Sequence, residues 1–226
     1  MSTMKLEVKE NVHVLTLTNN DNENKFTLDV MMEYLTAFDA VESYEGDTAL
    51  LICCEHEKTF STGINLDWMM AETPEQQRAF VKSLETVLFR LALLSAPTVI
   101  ALNGNVYAGG AILACAADFR VMRSDRGRFC FPEVNINIPF SPLMTDIIDI
   151  LPNKHALKHM ALTGIAYTGE QCKAFDIVDS IHPQDELQDA AFALASGLGQ
   201  KTRATYTTIR NGLRPAVASH RESLGL

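Results

Sequence analysis

The sequence predicts an α/β protein in which parallel strands alternate with helices, followed by a helical C-terminal region. Two short apolar runs, 48–54 and 98–102, are typical of strands buried on both faces. A longer stretch with helical spacing, 74–94, separates the two runs. Strand, helix and strand in this order indicate a right-handed βαβ unit with parallel strands. From 152 onward the apolar spacing is almost wholly helical.

The N-terminal part begins with two short strands within 4–17, joined by a turn at Glu10 and Asn11. Their β-branched and apolar content supports this assignment. A polar loop follows. Thr27 then precedes a helical pattern over 28–44, and its hydroxyl is suited to cap the free N–H groups of that helix.

The second helix, 74–94, has Thr73 as its predicted cap. No internal repeat, low-complexity tract or charge block interrupts the chain. The simplest division is therefore a single domain, 1–226, with a strand-rich core over 1–150 and a helical region over 151–226.

Composition narrows the classes of partner. The chain has 226 residues, 47% of them hydrophobic, and a net charge of −9. A negative chain repels phosphate backbones, so we expect no nucleic-acid partner. The longest apolar stretch, 95–117, is broken by Pro97, Gly109 and Gly110, which argues against a membrane helix.

The cysteines point to a reducing compartment. Their number is odd and their neighbours are apolar, as expected of buried, reduced thiols. They are Cys53, Cys54, Cys115, Cys130 and Cys172. The first ten residues lack the apolar run of a signal peptide, so we expect a cytoplasmic protein. No cysteine has C-x-x-C spacing, and the pair His155 and His159 lacks an H-E-x-x-H pattern, so we expect no metal.

Two glycine-containing loops are candidates for ligand binding. The first, 58–66, follows the first buried strand and contains Gly63. The second, 103–111, follows the second buried strand, and its Gly109 and Gly110 open a helix of small residues. Free N–H groups at such a helix start can bind phosphate or stabilise an oxyanion. The alternative is that these glycines only permit turns and close packing.

A third candidate is a carboxylate among apolar residues. Glu133 lies within the segment Phe-Pro-Glu-Val-Asn-Ile-Asn-Ile-Pro, 131–139. Burial disfavours the charged form of a carboxyl group and raises its pKa toward the range useful for proton transfer. The alternative is a solvated glutamate at a strand edge, the commoner fate of this residue type.

The order of these three motifs resembles the crotonase, or enoyl-CoA hydratase/isomerase, superfamily. The segment 162–179 is also similar to a late region of that family. The resemblance covers nearly the whole chain. It implies a crotonase-like ββα spiral fold, with two roughly perpendicular sheets wrapped by helices. It also implies a homotrimer or a hexamer built from two trimers.

The resemblance also implies the site. Backbone N–H groups of Ile64 and Gly109 would hold the thioester oxygen of an acyl-CoA substrate, and Glu133 would be the acid and base. The residues that match the coenzyme A contacts of the family are Lys25, Phe26, Thr62, Gly63, Ile64, Leu66 and Gly109. No dissociable cofactor is implied, because coenzyme A is part of the substrate.

One departure from the family narrows the reaction. The resemblance implies that hydratases of this family carry two glutamates, and the first of these would fall at Ile112 in this sequence. A single carboxylate suits a reaction without water, such as moving a double bond of an enoyl-CoA from position 3 to position 2 in fatty acid oxidation. Three segments, 122–127, 133–138 and 206–213, look most like monofunctional enoyl-CoA delta isomerases.

Several alternatives stay open. The chain could be another acyl-CoA enzyme of the family, a hydratase, hydrolase or decarboxylase, or a binding protein that has lost turnover. Asp67, directly after the first loop, is a rival carboxylate that we expect to be solvated. Asp118 matches a buried aspartate of the family and is interpreted as structural. Lys201 and Arg203 would meet either coenzyme A phosphates or solvent.

Overall fold

Two sheets organise residues 2–226, the part of the chain that this computed structural model describes. The larger has six strands in the order β1-β2-β3-β5-β7-β9, and the smaller has three in the order β4-β6-β8. The strands are β1 (Met4–Lys9), β2 (Val12–Leu17), β3 (Ala49–Cys54), β4 (Thr59–Ser61), β5 (Thr98–Leu102), β6 (Asn105–Tyr107), β7 (Phe119–Arg123), β8 (Phe129–Cys130) and β9 (Ser180–His182).

Helices connect the strands and form most of the C-terminal region. They are α1 (Leu28–Ser43), α2 (Leu66–Ala71), α3 (Pro74–Ala92), α4 (Gly109–Ala116), α5 (Glu133–Ile136), α6 (Pro142–Ile148), α7 (Lys154–Thr163), α8 (Gly169–Ala174), α9 (Gln184–Leu198), α10 (Arg203–Gly212), α11 (Pro215–Ala218) and α12 (Arg221–Leu224). The predicted polar loop before α1 contains one 3-10 turn, Asn20–Asn22.

The large sheet confirms the predicted βαβ arrangement. β1 and β2 form an antiparallel hairpin, and every later strand pairs in parallel with its neighbours. All residues of β3 and β5 are buried, as expected of central strands covered on both faces. The hairpin turn passes through Glu10, whose φ is 55°.

The first two long helices begin at their predicted caps. The Thr27 hydroxyl accepts the N–H of Val30 at the start of α1, and the Thr73 hydroxyl accepts the N–H of Gln76 at the start of α3. Each cap satisfies one N–H group that the first helical turn leaves free. The two helices pack against each other on one side of the core.

The C-terminal region departs from the prediction at one place. It is helical apart from β9, which extends the large sheet by pairing in parallel with β7. Three residues are too few for a periodic pattern, so the sequence did not reveal this strand. Helix α9 covers β3, β5 and β7 through Leu187, Ala191 and Ala195. Residues on both sides of position 150 therefore share one sheet.

The small sheet positions the candidate site. Its three strands are parallel, with Ser61 paired to Val106 and Tyr107 paired to Cys130. Neighbouring strands of a sheet lie about 5 Å apart, so the carboxyl ends of all three fall within about 10 Å. The first two candidate motifs, 58–66 and 103–111, contain β4 and β6 and continue past their carboxyl ends, and the third, 131–139, follows the carboxyl end of β8.

Within residues 2–226, no helix is both long enough and apolar enough to cross a bilayer.

Candidate active site

The first loop leaves β4 and turns sharply at Gly63, which has a φ of +81°. Phe26 and Ile64 then form an isolated parallel bridge. In this bridge the Phe26 N–H donates to Gly63 O at 2.8 Å, and the Asn65 N–H donates to Phe26 O at 3.0 Å. The Ile64 N–H donates to no described residue. It therefore has no partner within the described chain that would compete with a ligand.

The second loop leaves β6 and enters α4 through a strained residue. Ala108 has φ 50° and ψ −127°, a backbone conformation that side chains other than glycine rarely adopt. The Ala108 N–H donates to Cys130 O, which joins this loop to the third strand. The N–H of Gly109 is the first of α4 and has no partner within that helix.

The two glycine loops touch. A Cβ atom added to Gly63 would lie 2.6 Å from the Gly109 nitrogen, closer than real Cβ contacts. Only glycine at 63 lets the two backbones approach in this way. The structure thus places the segments that carry the free N–H groups of Ile64 and Gly109 in contact, and the resemblance predicts that these two groups form the oxyanion hole.

Glu133 opens the third loop as the first residue of α5. The residue is only 7% exposed, and its Oε2 is buried without a hydrogen-bond partner among residues 2–226. Burial raises the pKa of Glu133 to about 7, against a smaller lowering by its own backbone N–H. Asn137, with a left-handed φ of 58°, closes this single turn by donating its N–H to Glu133 O. The turn therefore fixes the backbone of Glu133, while Oε2 of its carboxyl group has no partner in the described chain.

The carboxyl group faces a largely apolar cavity of about 750 Å³ between α5, α6 and α7. Its lining is Glu133, Val134, Asn137, Ile138, Pro139, Phe140, Thr145, Ile148, Asp149, Leu157, Lys158, Ala161 and Leu162. The other carboxylate of the lining, Asp149, is 61% exposed in its side chain and lies 2.9 Å from Lys154 Nζ. An apolar cavity with one buried acid suits an acyl chain bearing an acidic C–H group.

Position 112 holds no polar group. Ile112 is 2% exposed and belongs to the main core cluster. It lies on α4, the helix that Gly109 opens, and is surrounded there by buried small and apolar residues. The carboxylate that the resemblance to hydratases would place at position 112 is therefore absent, and no other side chain of this helix replaces it.

The remaining predicted coenzyme A contacts differ in accessibility. Lys25 is partly exposed and lies 3.9 Å from Glu23. Leu66 is 44% exposed at the start of α2, and Thr62 Oγ1 is buried without a partner in the described chain. Phe26 is wholly buried, and its ring packs against Gly109. A Cβ atom added to Gly109 would be in close contact with this ring.

The rival candidates lie elsewhere. Asp67 is exposed on α2 and does not line the cavity beside Glu133. His159 Nδ1 lies 2.7 Å from the Tyr167 hydroxyl. Arg203 serves the fold rather than a ligand, because it donates to five backbone carbonyls. These belong to Val41, Glu42, Tyr44, Gly46 and Ser95.

Two residues of the site escaped sequence analysis. Asn24 and Ser61 are buried and hydrogen-bonded beside the first glycine loop. Both lie in segments that look like an ordinary polar loop and an ordinary turn. The left-handed φ of 51° at Asn24 is of a kind that asparagine tolerates better than most residues, and this preference was the available signal.

Comparison with known proteins identifies the family of this chain. A family model described as enoyl-CoA hydratase/isomerase matches residues 7–223. The chain belongs to the enoyl-CoA hydratase/isomerase family. It is therefore an enzyme of this family by descent, and its fold is the crotonase-like fold that the sequence predicts.

Relatives within the enoyl-CoA hydratase/isomerase family include two proteins of Arabidopsis thaliana. Enoyl-CoA delta isomerase 3 is 33% identical over 221 residues, which cover 93% of this chain and 91% of that protein. Peroxisomal enoyl-CoA delta isomerase 2 is 29% identical, with the same coverage of 93% and 91%. A solved structure, a probable enoyl-CoA hydratase of Mycobacterium tuberculosis, matches 99% of this chain and 94% of its own with a TM-score of 0.88 at 18% identity.

Proposed function

We propose that this enzyme moves the double bond of a 3-enoyl-CoA thioester to position 2. The observation that carries the proposal is Glu133, a buried carboxylate whose Oε2 has no hydrogen-bond partner among residues 2–226 and which lines an apolar cavity. Ile112 occupies the position where a second acid would be needed to orient water. The relatedness to two enoyl-CoA delta isomerases supports the same reaction.

In the proposed reaction the ionised Glu133 removes a proton from C2 of the substrate. The electron pair of the broken C–H bond delocalises through the thioester to give a dienolate. The N–H groups of Ile64 and Gly109 then donate to the negative oxygen, a stabilisation of roughly 3 kcal/mol for each donor. Glu133 returns the proton at C4, the double bond forms between C2 and C3, and no water is consumed.

The pKa of Glu133 suits both halves of this cycle. A value of about 7 leaves a substantial fraction ionised at neutral pH, so the base is available. With the same pKa, the protonated form of Glu133 can act as the acid that returns the proton to C4. Activity should therefore fall as pH drops through about 7, because protonation removes the base.

Binding of coenzyme A is proposed along the first loop. Main-chain atoms from Thr62 to Leu66, with Lys25 and the segment supported by Phe26, would hold the coenzyme, while the acyl group enters the cavity beside Glu133.

We further propose assembly as a homotrimer or hexamer, action in fatty acid β-oxidation and a cytoplasmic location. A strictly monomeric mass across a concentration series would contradict the assembly.

The proposal is tested by offering the enzyme 3-hexenoyl-CoA and 2-hexenoyl-CoA in parallel assays. We expect the first to become the conjugated thioester rapidly, and the second to gain water slowly or not at all. Conversion is followed by separation of the products and their masses, since hydration adds 18 Da and isomerisation adds nothing. Water addition as fast as isomerisation would identify a hydratase, and turnover of neither substrate would sink the proposal.

A further inference from the structure

Ser61 lies between the two glycine loops and contacts both. It is the last residue of β4 and is wholly buried. On one side, its hydroxyl accepts the Gly63 N–H at 3.1 Å. On the other, a Cβ atom added to Gly110 would lie 2.6 Å from Ser61 O and 2.9 Å from Ser61 Cβ. One small side chain therefore meets the turn before Ile64 and the start of α4.

The Ser61 hydroxyl is itself held by Asn24. It donates to Asn24 O at 2.8 Å, so both its donor and its acceptor capacities are used. Asn24 is 3% exposed and is anchored at two further points. Its side-chain Nδ2 donates to Phe60 O at 2.9 Å, and its backbone N–H donates to Asn19 O at 3.0 Å.

These contacts determine where the Ile64 N–H points. The peptide unit between Gly63 and Ile64 is planar and trans, so its C=O and N–H point in opposite directions. Phe26 holds the C=O end through its N–H, and Ser61 holds the preceding N–H of Gly63. With both ends of Gly63 fixed, the Ile64 N–H is aimed away from Phe26. Gly63, at φ +81°, has no side chain that could limit its rotation otherwise.

We infer that Ser61 and Asn24 are positioning residues that aim the oxyanion-hole N–H of Ile64 and set its spacing from Gly109. The inference rests on the proposed function, because it assumes that a thioester oxygen occupies this site. Neither residue touches the substrate. Their effect is exerted through the direction of a backbone donor, whose alignment decides how strongly a hydrogen bond polarises its acceptor.

The test uses a bound carbonyl group as the reporter. Hexanoyl-CoA labelled with ¹³C at the carbonyl cannot isomerise, and its C=O stretch moves to lower frequency as hydrogen bonds polarise it. Isotope-edited infrared spectra should show a clear downward shift with the unmodified enzyme. Ser61→Ala removes both hydrogen bonds of the hydroxyl, so we expect most of this shift to disappear.

Kinetic and binding measurements distinguish a change in the direction of the Ile64 N–H from a general disturbance of the site. We expect Ser61→Ala to lower kcat on 3-hexenoyl-CoA about tenfold to a hundredfold, the range reached when a site is displaced by less than about 1 Å. The pH dependence should stay that of Glu133. Affinity for S-hexyl-CoA, a thioether without the carbonyl oxygen, should not change. If the affinity for S-hexyl-CoA fell by as large a factor as kcat, the role of Ser61 would be merely structural and the inference would be overturned.

Thr48→Val is the matched control. Thr48 is a wholly buried hydroxyl that donates to Asn11 O at 3.1 Å, at the opposite end of the large sheet from the site loops. This variant should lose stability while its carbonyl shift and kcat stay normal. Ser61→Cys retains a weak donor and acceptor and should give intermediate values, which orders the series even if Ser61→Ala folds poorly.

The outcomes are distinct. A full carbonyl shift and normal kcat in Ser61→Ala would overturn the positioning role and leave the proposed function intact. Unmodified enzyme that binds hexanoyl-CoA without any carbonyl shift would overturn the oxyanion hole, and with it both proposals. A reduced shift confined to the Ser61 variants is the expected result.

Discussion

Two buried acids, Glu133 and Asp118, have opposite surroundings. The side chain of Asp118 is 4% exposed, and its Oδ2 accepts the N–H of Thr98 at 2.9 Å and the hydroxyl of Tyr206 at 3.1 Å. Arg210 Nη1 lies 3.4 Å from the same oxygen. Glu133 is buried to a similar degree, yet its Oε2 has no partner within the described chain.

The partners of Asp118 serve the fold as well. Arg214 Nη2 lies 3.0 Å from Asp118 Oδ1, an ion pair without hydrogen-bond geometry. Arg214 also donates to the carbonyls of Ala92 and Ala116, at the ends of α3 and α4. These contacts neutralise carbonyl dipoles at two helix C-termini. The cluster ties α10 and the segment that follows it to the core helices.

The contrast distinguishes a structural acid from a reactive one. The Asp118 carboxylate is surrounded by cationic and hydrogen-bonding partners, and its contacts hold segments of the fold together. An unpartnered buried carboxylate is destabilised in its charged form and accepts a proton readily. Glu133 therefore reduces stability in the state that acts as a base. The same exchange of acid for amide at the two positions should then have opposite consequences.

Glu133→Gln should have the largest effect, and it should fall on turnover. Glutamine keeps the size of the side chain but cannot accept a proton from carbon at neutral pH. We expect the rate on 3-hexenoyl-CoA to fall about a hundredfold to ten-thousandfold. Affinity measured by calorimetry with hexanoyl-CoA should be nearly unchanged, because the N–H groups of Ile64 and Gly109 remain.

The control for this variant is Asp67→Asn, which changes an exposed acid on the neighbouring helix α2. It should leave the rate unchanged. A near-normal rate in Glu133→Gln, together with a large loss in Asp67→Asn, would identify Asp67 as the base instead.

Asp118→Asn should have the next largest effect, on stability. It leaves Arg210 and Arg214 buried without their counter-charge, and breaking a buried ion pair in this way typically costs about 3–5 kcal/mol. Urea denaturation should show this as a lower midpoint. A fall of less than about 1 kcal/mol in the free energy of unfolding would contradict the structural role assigned to Asp118.

Glu133→Gln should stabilise the fold at alkaline pH. The folded pKa of about 7 lies above the ordinary value of 4.5, so the contribution of Glu133 to stability is fully present below pH 4.5 and is lost as pH rises through about 7. That loss amounts to at most about 3 kcal/mol, an order-of-magnitude figure. Denaturation should show that the free energy of unfolding of the variant, relative to that of the unmodified protein, is higher at pH 8.5 than at pH 5. A gain equal at both pH values would contradict the assigned titration.

Tyr206→Phe should have the smallest effect. It removes one hydrogen bond to the Asp118 carboxylate and leaves both arginines in place, so we expect a loss of about 1–2 kcal/mol in the free energy of unfolding. Turnover should be unaffected, since the residue does not line the cavity beside Glu133. A larger loss than that of Asp118→Asn would show that Tyr206, and not the ion pairs, dominates this cluster.

Local patterns in the sequence determined much of this protein. Apolar runs identified β3 and β5, helical spacing with threonine caps identified α1 and α3, and the motif order identified the family before any coordinates. Such patterns are visible because each depends on residues close together in the chain. The candidate residues Ile64, Gly109 and Glu133 were accessible in the same way, through motifs of nine residues each.

Only the tertiary structure decided which groups have partners. Asp118 meets Arg210, 92 positions later, and Ser61 meets Asn24, 37 positions earlier. The strand β9 exists because β7 offers an edge, not because its three residues prefer that conformation. A pKa and the direction of a free N–H are set by atoms brought together from distant segments. The solitary state of Glu133 is for this reason a property of the folded protein, and no pattern within its own segment records it.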